Sequence, residues 1–410
     1  MADPRRTQLT YRYERWRAVA SGILETAATT FLILIAVRWF EAGSLAKALV
    51  AGGGSVGLLL SPWIVSRVES LGWPTAVAAS RLACLGAASF LLTGLFPVLP
   101  VFVAGSVVAM AASSAAIPLM TQVYQDNYPE PGRGRLFSRT IMIRIAAAAL
   151  FSELAGRLLS GNLEWFRALL FFFALMFGVA AVCLGRCPSQ PLHVSGGTHP
   201  FRALRYARTD RLFRQTLVAW MLMGFANLMM LPLRVEYLAN PKYEMALTVW
   251  WIALLTGVLP NLARLFLSPI WGWLFDHMNF FALRITLNIG FALGILAFFT
   301  SNAVPGLILG ALIYGASSSG GDVAWSLWVT KFSPPNRVAD YMSVHTFFTG
   351  VRGLLAPLAG FHLATLLPLP VLAWFCIGLI LLATLLLIPE IKFGKKARTA
   401  SALVKEVSDS

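Results

Sequence analysis

The sequence predicts an all-α integral membrane protein with twelve transmembrane helices in two pseudo-symmetric six-helix bundles. Three observations predict it. The 410-residue chain is 58% hydrophobic and only 12% charged, with a mean hydropathy of +0.71, so it cannot cover itself with polar surface. Apolar windows of about 20 residues, the length an α-helix needs to cross the hydrocarbon layer, can be placed twelve times. Finally, short patterns recur half a chain apart. Leu60-Ser61-Pro62 and Leu267-Ser268-Pro269 are each followed seven positions later by an acid, Glu69 or Asp276, at an offset of 207. Ala112-Ser113-Ser114, Arg133 and Leu154-Ala155-Gly156 recur at Ala316-Ser317-Ser318, Arg337 and Leu358-Ala359-Gly360, all at an offset of 204. Several matches in the same order at nearly one offset argue for two related halves.

In chain order, residues 1–17 form a basic lead-in. The windows of the first bundle, residues 18–185, fall at 18–38, 45–66, 74–96, 101–124, 141–161 and 166–185. Residues 186–214 are a linker rich in Pro, Gly, Ser and Arg that turns amphipathic at Phe201, Leu204, Tyr206 and Leu212. The second bundle, 215–389, has windows at 215–234, 246–272, 281–300, 304–328, 343–366 and 370–389, and residues 390–410 are a basic and then polar tail. Helices are required because lipid offers backbone groups no partner outside the segment. Sorted by alternate loops, 23 of the 33 basic residues fall on one side and 6 on the other, which predicts that both termini are cytoplasmic. The first helix lacks a small-residue cleavage site and is expected to be retained.

The net charge of +15 is spread over these loops, where anionic headgroups and positive-inside topology explain it; nucleic acid is not an expected partner. Gly52-Gly53-Gly54-Ser55-Val56-Gly57 formally matches a dinucleotide loop and a nucleophile elbow. Both need a preceding strand, so Gly53 and Gly57 are read as a close helix approach. Cys84, Cys183, Cys187 and Cys376 form no CxxC and are read as packing residues. The histidines 193, 199, 277, 345 and 362 show no metal-ligand spacing and no Walker loop exists, so no metal, no cofactor and no ATP chemistry is expected.

Gly272-x-Leu274-x-Asp276, its degraded counterpart Val65 to Glu69 with Gly72 kept, and the stretch from Pro131 to Phe137 with its weaker echo at Pro335 to Tyr341 resemble the major facilitator superfamily. The resemblance covers essentially the whole chain and implies a secondary transporter, not an enzyme. It also implies that helices one, four, seven and ten line a central cavity. Two departures stand out. The fourth span carries no arginine, with Ser106 near its expected place, and the fifth reads Ser152-Glu153-Leu154-Ala155-Gly156 in place of a Gly-Pro-rich signature, against a drug antiporter.

Ionisable groups inside lipid need a partner, a wet cavity or a task. Glu25, Glu153 and Asp322 qualify, as do Arg264 and Arg352, whereas Arg81 and Arg144 lie near cytoplasmic ends and can snorkel. Matching Gly22 to Gly224 sets Glu25 opposite Asn227. Glu25 and Asp322 are therefore candidates for contact with a substrate or coupling proton, with Asn227, Trp325, Ser113 and Ser114 shaping the pocket. The alternative is a buried Asp322–Arg352 or Glu25–Arg352 pair that only holds helices together. Glu153 with Arg264 is a gate candidate, and by resemblance so are Glu69 and Asp276. The expectation is a monomeric, multi-pass plasma-membrane transporter of a small organic solute, surrounded by lipid and open to proton coupling. A lipid or lysolipid flippase, or from another class a sensor or membrane-embedded enzyme, are the alternatives.

Overall fold

In the computed structural model the described residues are 4–129, 133–191, 204–245, 247–329 and 338–393; for 133–135, 276, 326–327 and 338–340 only the backbone is described. Residues 192–203 of the linker, the tail beyond 393 and the Asp276 side chain therefore lie outside the described residues. Among those residues stand twelve long helices: α1 Pro4–Arg38, α2 Ser44–Ser70, α3 Thr75–Leu95, α4 Leu99–Asn127, α5 Arg133–Gly161, α6 Phe166–Gly185, α7 Arg211–Ala239, α8 from Val249 to His277, α9 Phe280–Phe299, α10 Val304–Leu327, α11 Val338–Leu366 and α12 Leu369–Leu387. Ten are long and apolar enough to cross a membrane by composition alone. α5 and α10 are as long but are diluted, one by Arg144, Glu153 and Arg157, the other by Ser317-Ser318-Ser319-Gly320-Gly321. Leucines and aromatics such as Leu150, Leu154, Phe266 and Trp273 stand exposed on the helix surfaces, which suits a chain whose solvent is lipid.

The helix ends follow local chemistry. Asn279 accepts from the backbone N–H groups of Phe281 and Ala282 at 2.9 and 3.2 Å and starts α9, and Thr248 starts α8 through Trp251 N–H. The repeated Leu-Ser-Pro lies inside helices in both halves, where proline removes an internal hydrogen bond. Pro62 cannot donate to the Leu58 carbonyl, and the Ser61 hydroxyl donates to it instead at 2.9 Å. In α8 the Ser268 hydroxyl donates to the Arg264 carbonyl at 2.6 Å. Ser61 thus supplies the carbonyl that Pro62 leaves without a donor, while Ser268 bonds the carbonyl next to the one that Pro269 frees.

Two compact units result. The first comprises Met1–Pro200 and Val235–Val258. Its first helix begins at Pro4, well before the expected 18, because Glu14, buried beside Arg17 and Tyr124, ties the arginine-rich stretch into the fold. Within this unit α2 packs on α4 as the glycine reading requires: a Cβ at Gly57 would collide with the Ala111 carbonyl, and one at Gly53 would sit 3.0 Å from the Val107 Cα. Residues 235–258 join it although they follow the linker, an excursion that the boundaries 18–185 and 215–389 leave out. Lys47 binds Glu236 at 2.6 Å, Arg38 donates to the Leu247 carbonyl at 2.9 Å, and Gly156 makes room for Ala253. α1 and α8 each contain a π turn, Ala27–Phe31 and Leu254–Val258, and the two turns meet through Thr30 and Thr256, hydroxyl to hydroxyl at 3.0 Å. Such turns widen a helix by one residue and recur at functional positions.

The second unit comprises Phe201–Arg234 and Leu259–Ser410. α8 and α9 pack on α10, and α9 also packs on α12. Stacked Phe213, Trp328 and Trp220 fill its interior, with centroids 5.4 and 5.2 Å apart.

Candidate functional site

The polar groups of each unit form separate networks inside apolar helices. In the first unit, Glu25 on α1 meets Arg144 Nε on α5 at 3.2 Å, with 24% of the Glu25 side chain still accessible. The expected alternative of Glu25 with Arg352 gives way to this partner, which sequence reasoning assigned to snorkelling. Glu153 accepts from Arg157 Nε at 2.5 Å, one turn away on α5, and from Trp250 Nε1 at 3.1 Å. Ser114 lies half-buried and Ser113 exposed on α4; Glu69 is half-buried at the end of α2. Just beyond α6, burial pushes the Cys187 thiol up to about 12, which suits the packing role expected of it.

In the second unit Asp322 on α10 is the centre of a network with α8. Arg264 donates to Asp322 Oδ2 from Nη2 at 2.8 Å and from Nε at 3.2 Å, and its Nη1 donates to Asn261 Oδ1 at 2.7 Å. The Arg264 carbonyl in turn accepts from Ser268 and, at 3.3 Å, from Ser319, and these two hydroxyls meet at 2.9 Å. Arg264 is nearly buried, while 45% of the Asp322 side chain is accessible. The guanidinium is thus held by the Asp322 carboxylate and the Asn261 amide oxygen, while nearly half of the Asp322 side chain stays accessible. Of the expected Glu153–Arg264 gate, Glu153 pairs with Arg157 and Trp250, and Arg264 with Asp322 and Asn261. The expected Asp322–Arg352 pair likewise gives way, since Asp322 has Arg264. Asn261, Ser268 and Ser319 were not singled out from the sequence; a polar stripe at one- and two-turn spacing along α8 was the available signal.

Asn227 lines a small cavity of about 10 Å³, room for about one water, with Arg234 and Tyr314. Arg234 lies 3.8 Å over the Tyr314 ring. Trp325 stands half-buried with its ring 5.7 Å from His345. Arg352 donates from Nη1 to the Trp220 carbonyl at 2.6 Å, and a Cβ at Gly224 would occupy the same space, so that close approach depends on glycine. Among the described residues no cluster of three His, Cys, Asp or Glu side chains suits a metal ion.

Helices arranged in this way define an all-helical, polytopic fold. Residues 253–407 match the model of the Major Facilitator Superfamily. A mutant of the nucleoside transporter NupG superposes with a TM-score of 0.76 at 11% identity, covering 93% of this chain and 99% of that one. The xylose transporter XylE from E. coli gives 0.66 at 14% identity over 98% of each chain. A bacterial homolog of the human lysosomal transporter Spinster gives 0.63 at 13% identity over 99% of each. No curated protein matches the sequence. The sequence match to that family's model covers residues 253–407, and the fold is shared with these structures along nearly the whole chain.

Proposed function

We propose that this protein is a secondary active transporter that moves a small organic solute across the plasma membrane by alternating access, as a monomer with both termini in the cytoplasm. The observation that carries the reading is the pairing of partly accessible carboxylates with arginines inside apolar helices: Glu25 with Arg144 and Asp322 with Arg264. A charge kept in lipid at a cost of about 2.5–3.5 kcal/mol marks a binding or coupling position when it is neither fully buried nor fully neutralised. Asp322 fits a proton-coupling role best, because protonation of its accessible carboxylate would loosen Arg264 and with it the contact of α8 with α10. Ser113, Ser114, Asn227 and Trp325 supply the polar and aromatic contacts of such a site, and Glu69 and Asp276 are assigned to the gating ends of α2 and α8. Solute classes to try first are nucleosides and pentoses, the named cargo of two fold relatives.

The test is counterflow and pH-driven uptake in proteoliposomes. At least one solute should exchange in counterflow, and Asp322→Asn should cut its pH-driven uptake at least tenfold while leaving counterflow measurable. Purified protein that binds a solute yet exchanges none would make the chain a sensor. Unchanged pH-driven uptake in both Glu25→Gln and Asp322→Asn would remove these acids from coupling.

A further inference from the structure

The interior of the second unit gathers more positive charge than its own residues neutralise. Arg284 on α9 is 1% exposed, and its guanidinium lies 3.6 Å above the Trp220 ring. Arg352 on α11 is 9% exposed and holds the carbonyl of that same Trp220. His345, two turns before Arg352, is fully buried, with its ring 5.3 Å from Trp220 and 5.0 Å from Trp328. Trp220 thus touches two guanidinium groups and an imidazole, Arg284 and His345 through its ring and Arg352 through its backbone carbonyl. Besides the Trp220 carbonyl, Asn288 accepts from Arg284 Nη2 at 3.5 Å. Arg284 Nε and Nη1, Arg352 Nε and both ring nitrogens of His345 are buried without a hydrogen-bond partner among the described residues. No carboxylate among the described residues pairs with either arginine.

The repeat shows what is missing. In the first unit a Cβ at Gly22 would collide with the backbone of Arg144, and that arginine is neutralised by Glu25 on the helix carrying Gly22. In the second unit a Cβ at Gly224, the counterpart of Gly22, would collide with Arg352, which lies one turn beyond the repeat equivalent of Arg144. The position matching Glu25 is Asn227, an amide. The first half supplies its arginine with an acid from its own chain; the second has no acid at that place. The face of Trp220 stabilises a cation but offers no acceptor for the in-plane N–H groups. Two guanidinium forks left with free in-plane donors match the paired oxygens of a carboxylate or phosphate.

We infer that Arg284 and Arg352 bind an oxyanion, the carboxylate or phosphate of an organic solute, which stands in for the acid that the second half lacks. Trp220 sets the spacing of the two forks, and His345 adds a ring nitrogen to the same group. Trp325, half-buried against His345, forms the edge of the site. The word solute rests on the transport reading above; the binding of the oxyanion does not.

The test uses the full chain in a neutral detergent, with thermal unfolding followed against inorganic phosphate and against acetate, each replacing chloride at constant ionic strength. At least one probe should raise the midpoint saturably. Arg352→Lys keeps the charge and the bond to the Trp220 carbonyl but loses the fork, and Arg284→Lys does the same above the indole. Each should weaken the apparent affinity at least tenfold, while Arg208→Gln, on an exposed side chain outside the cluster, should leave it unchanged. No saturable shift in the parent protein, or a shift retained in both lysine variants, would overturn the inference. So would a shift produced by phosphatidylglycerol and by neither soluble probe, which would assign the arginines to a lipid headgroup. Solute counterflow without oxyanion binding would sink this inference alone, and oxyanion binding without any flux would sink the transport reading alone.

Discussion

Breaking the buried ion pair of the first unit should cost more than any other single charge removal outside the candidate site. Lys47 Nζ lies 2.6 Å from Glu236 Oε1, with the two side chains 10% and 4% exposed. Asn240 donates to the same oxygen at 2.9 Å, while Glu236 Oε2 has no partner. Lys47→Met keeps the aliphatic stem but leaves a carboxylate buried against one amide, a loss of roughly 3–5 kcal/mol. At roughly 2–4 °C per kcal/mol for a unit of this size, the midpoint of thermal unfolding should fall by about 6–20 °C. Replacing both residues by methionine removes the charge problem together with the pair, so the double variant should recover to within about 1 kcal/mol of the parent. A four-protein cycle in nanodiscs reads the coupling directly, and more than about 2 kcal/mol is expected. Interhelical hydrogen bonds measured within membranes average only about 0.6 kcal/mol. A coupling of that size, or additive single variants, would mean that water reaches the pair and that burial has been misjudged.

Three other outcomes follow from the packing and the charges. Asp322→Asn should destabilise the second unit at least twice as much as Arg264→Gln, because the first strands a nearly buried guanidinium and the second leaves a carboxylate that is already half accessible; equal midpoints would refute this. Gly57→Ala should lower the folded yield or the midpoint by several degrees, since α2 and α4 must part to admit the methyl group, whereas Gly43→Ala, with open space around it, should be silent; fluorescence size-exclusion profiles separate the two. Cys187, its thiol pushed up to about 12 by burial, holds on the order of 10³-fold less thiolate at pH 8 than an ordinary cysteine, so in a variant lacking the other three cysteines maleimide labelling should be slow until the protein unfolds. Labelling at the rate of free glutathione would contradict that burial.

The sequence revealed the backbone of this protein better than its charge partners. Helix number, the duplicated Leu-Ser-Pro and the Gly53–Gly57 contact all rest on local chemistry: span length, a serine that compensates a proline, and a missing Cβ. Such features lie within one helix or one helix pair and can be read by spacing alone. Partners across helices depend on rotation and depth, which spacing does not specify. Glu153 therefore takes Arg157 and Trp250, Glu25 takes Arg144, and Arg264 takes Asp322. The Glu14–Arg17–Tyr124 cluster was hidden for a different reason: a run of five arginines before residue 18 reads as a solvated lead-in, and only burial shows that one of them is neutralised. The excursion of residues 235–258 into the first unit rests on Lys47–Glu236 and Thr30–Thr256, contacts between positions about 190 and 226 apart that no local pattern announces.

The two halves also differ in a way that duplication makes informative. Both kept the devices that let helices approach and bend: a glycine on the first helix of each half, a proline in the second, a serine before it. They diverged in charge. The first unit carries Glu14 with Arg17, Glu25 with Arg144, Glu153 with Arg157 and Glu236 with Lys47, so each of these acids has a base within reach. In the second, Arg264 has Asp322, while Arg234, Arg284 and Arg352 are buried with donors that no side-chain acid among the described residues meets. An unneutralised guanidinium in a low-dielectric interior is destabilising, and leucine or methionine at the same volume would be more stable. On the oxyanion proposal above, the ligand supplies the balancing charge for Arg284 and Arg352, which is the role that Glu25 plays for Arg144 in the first unit.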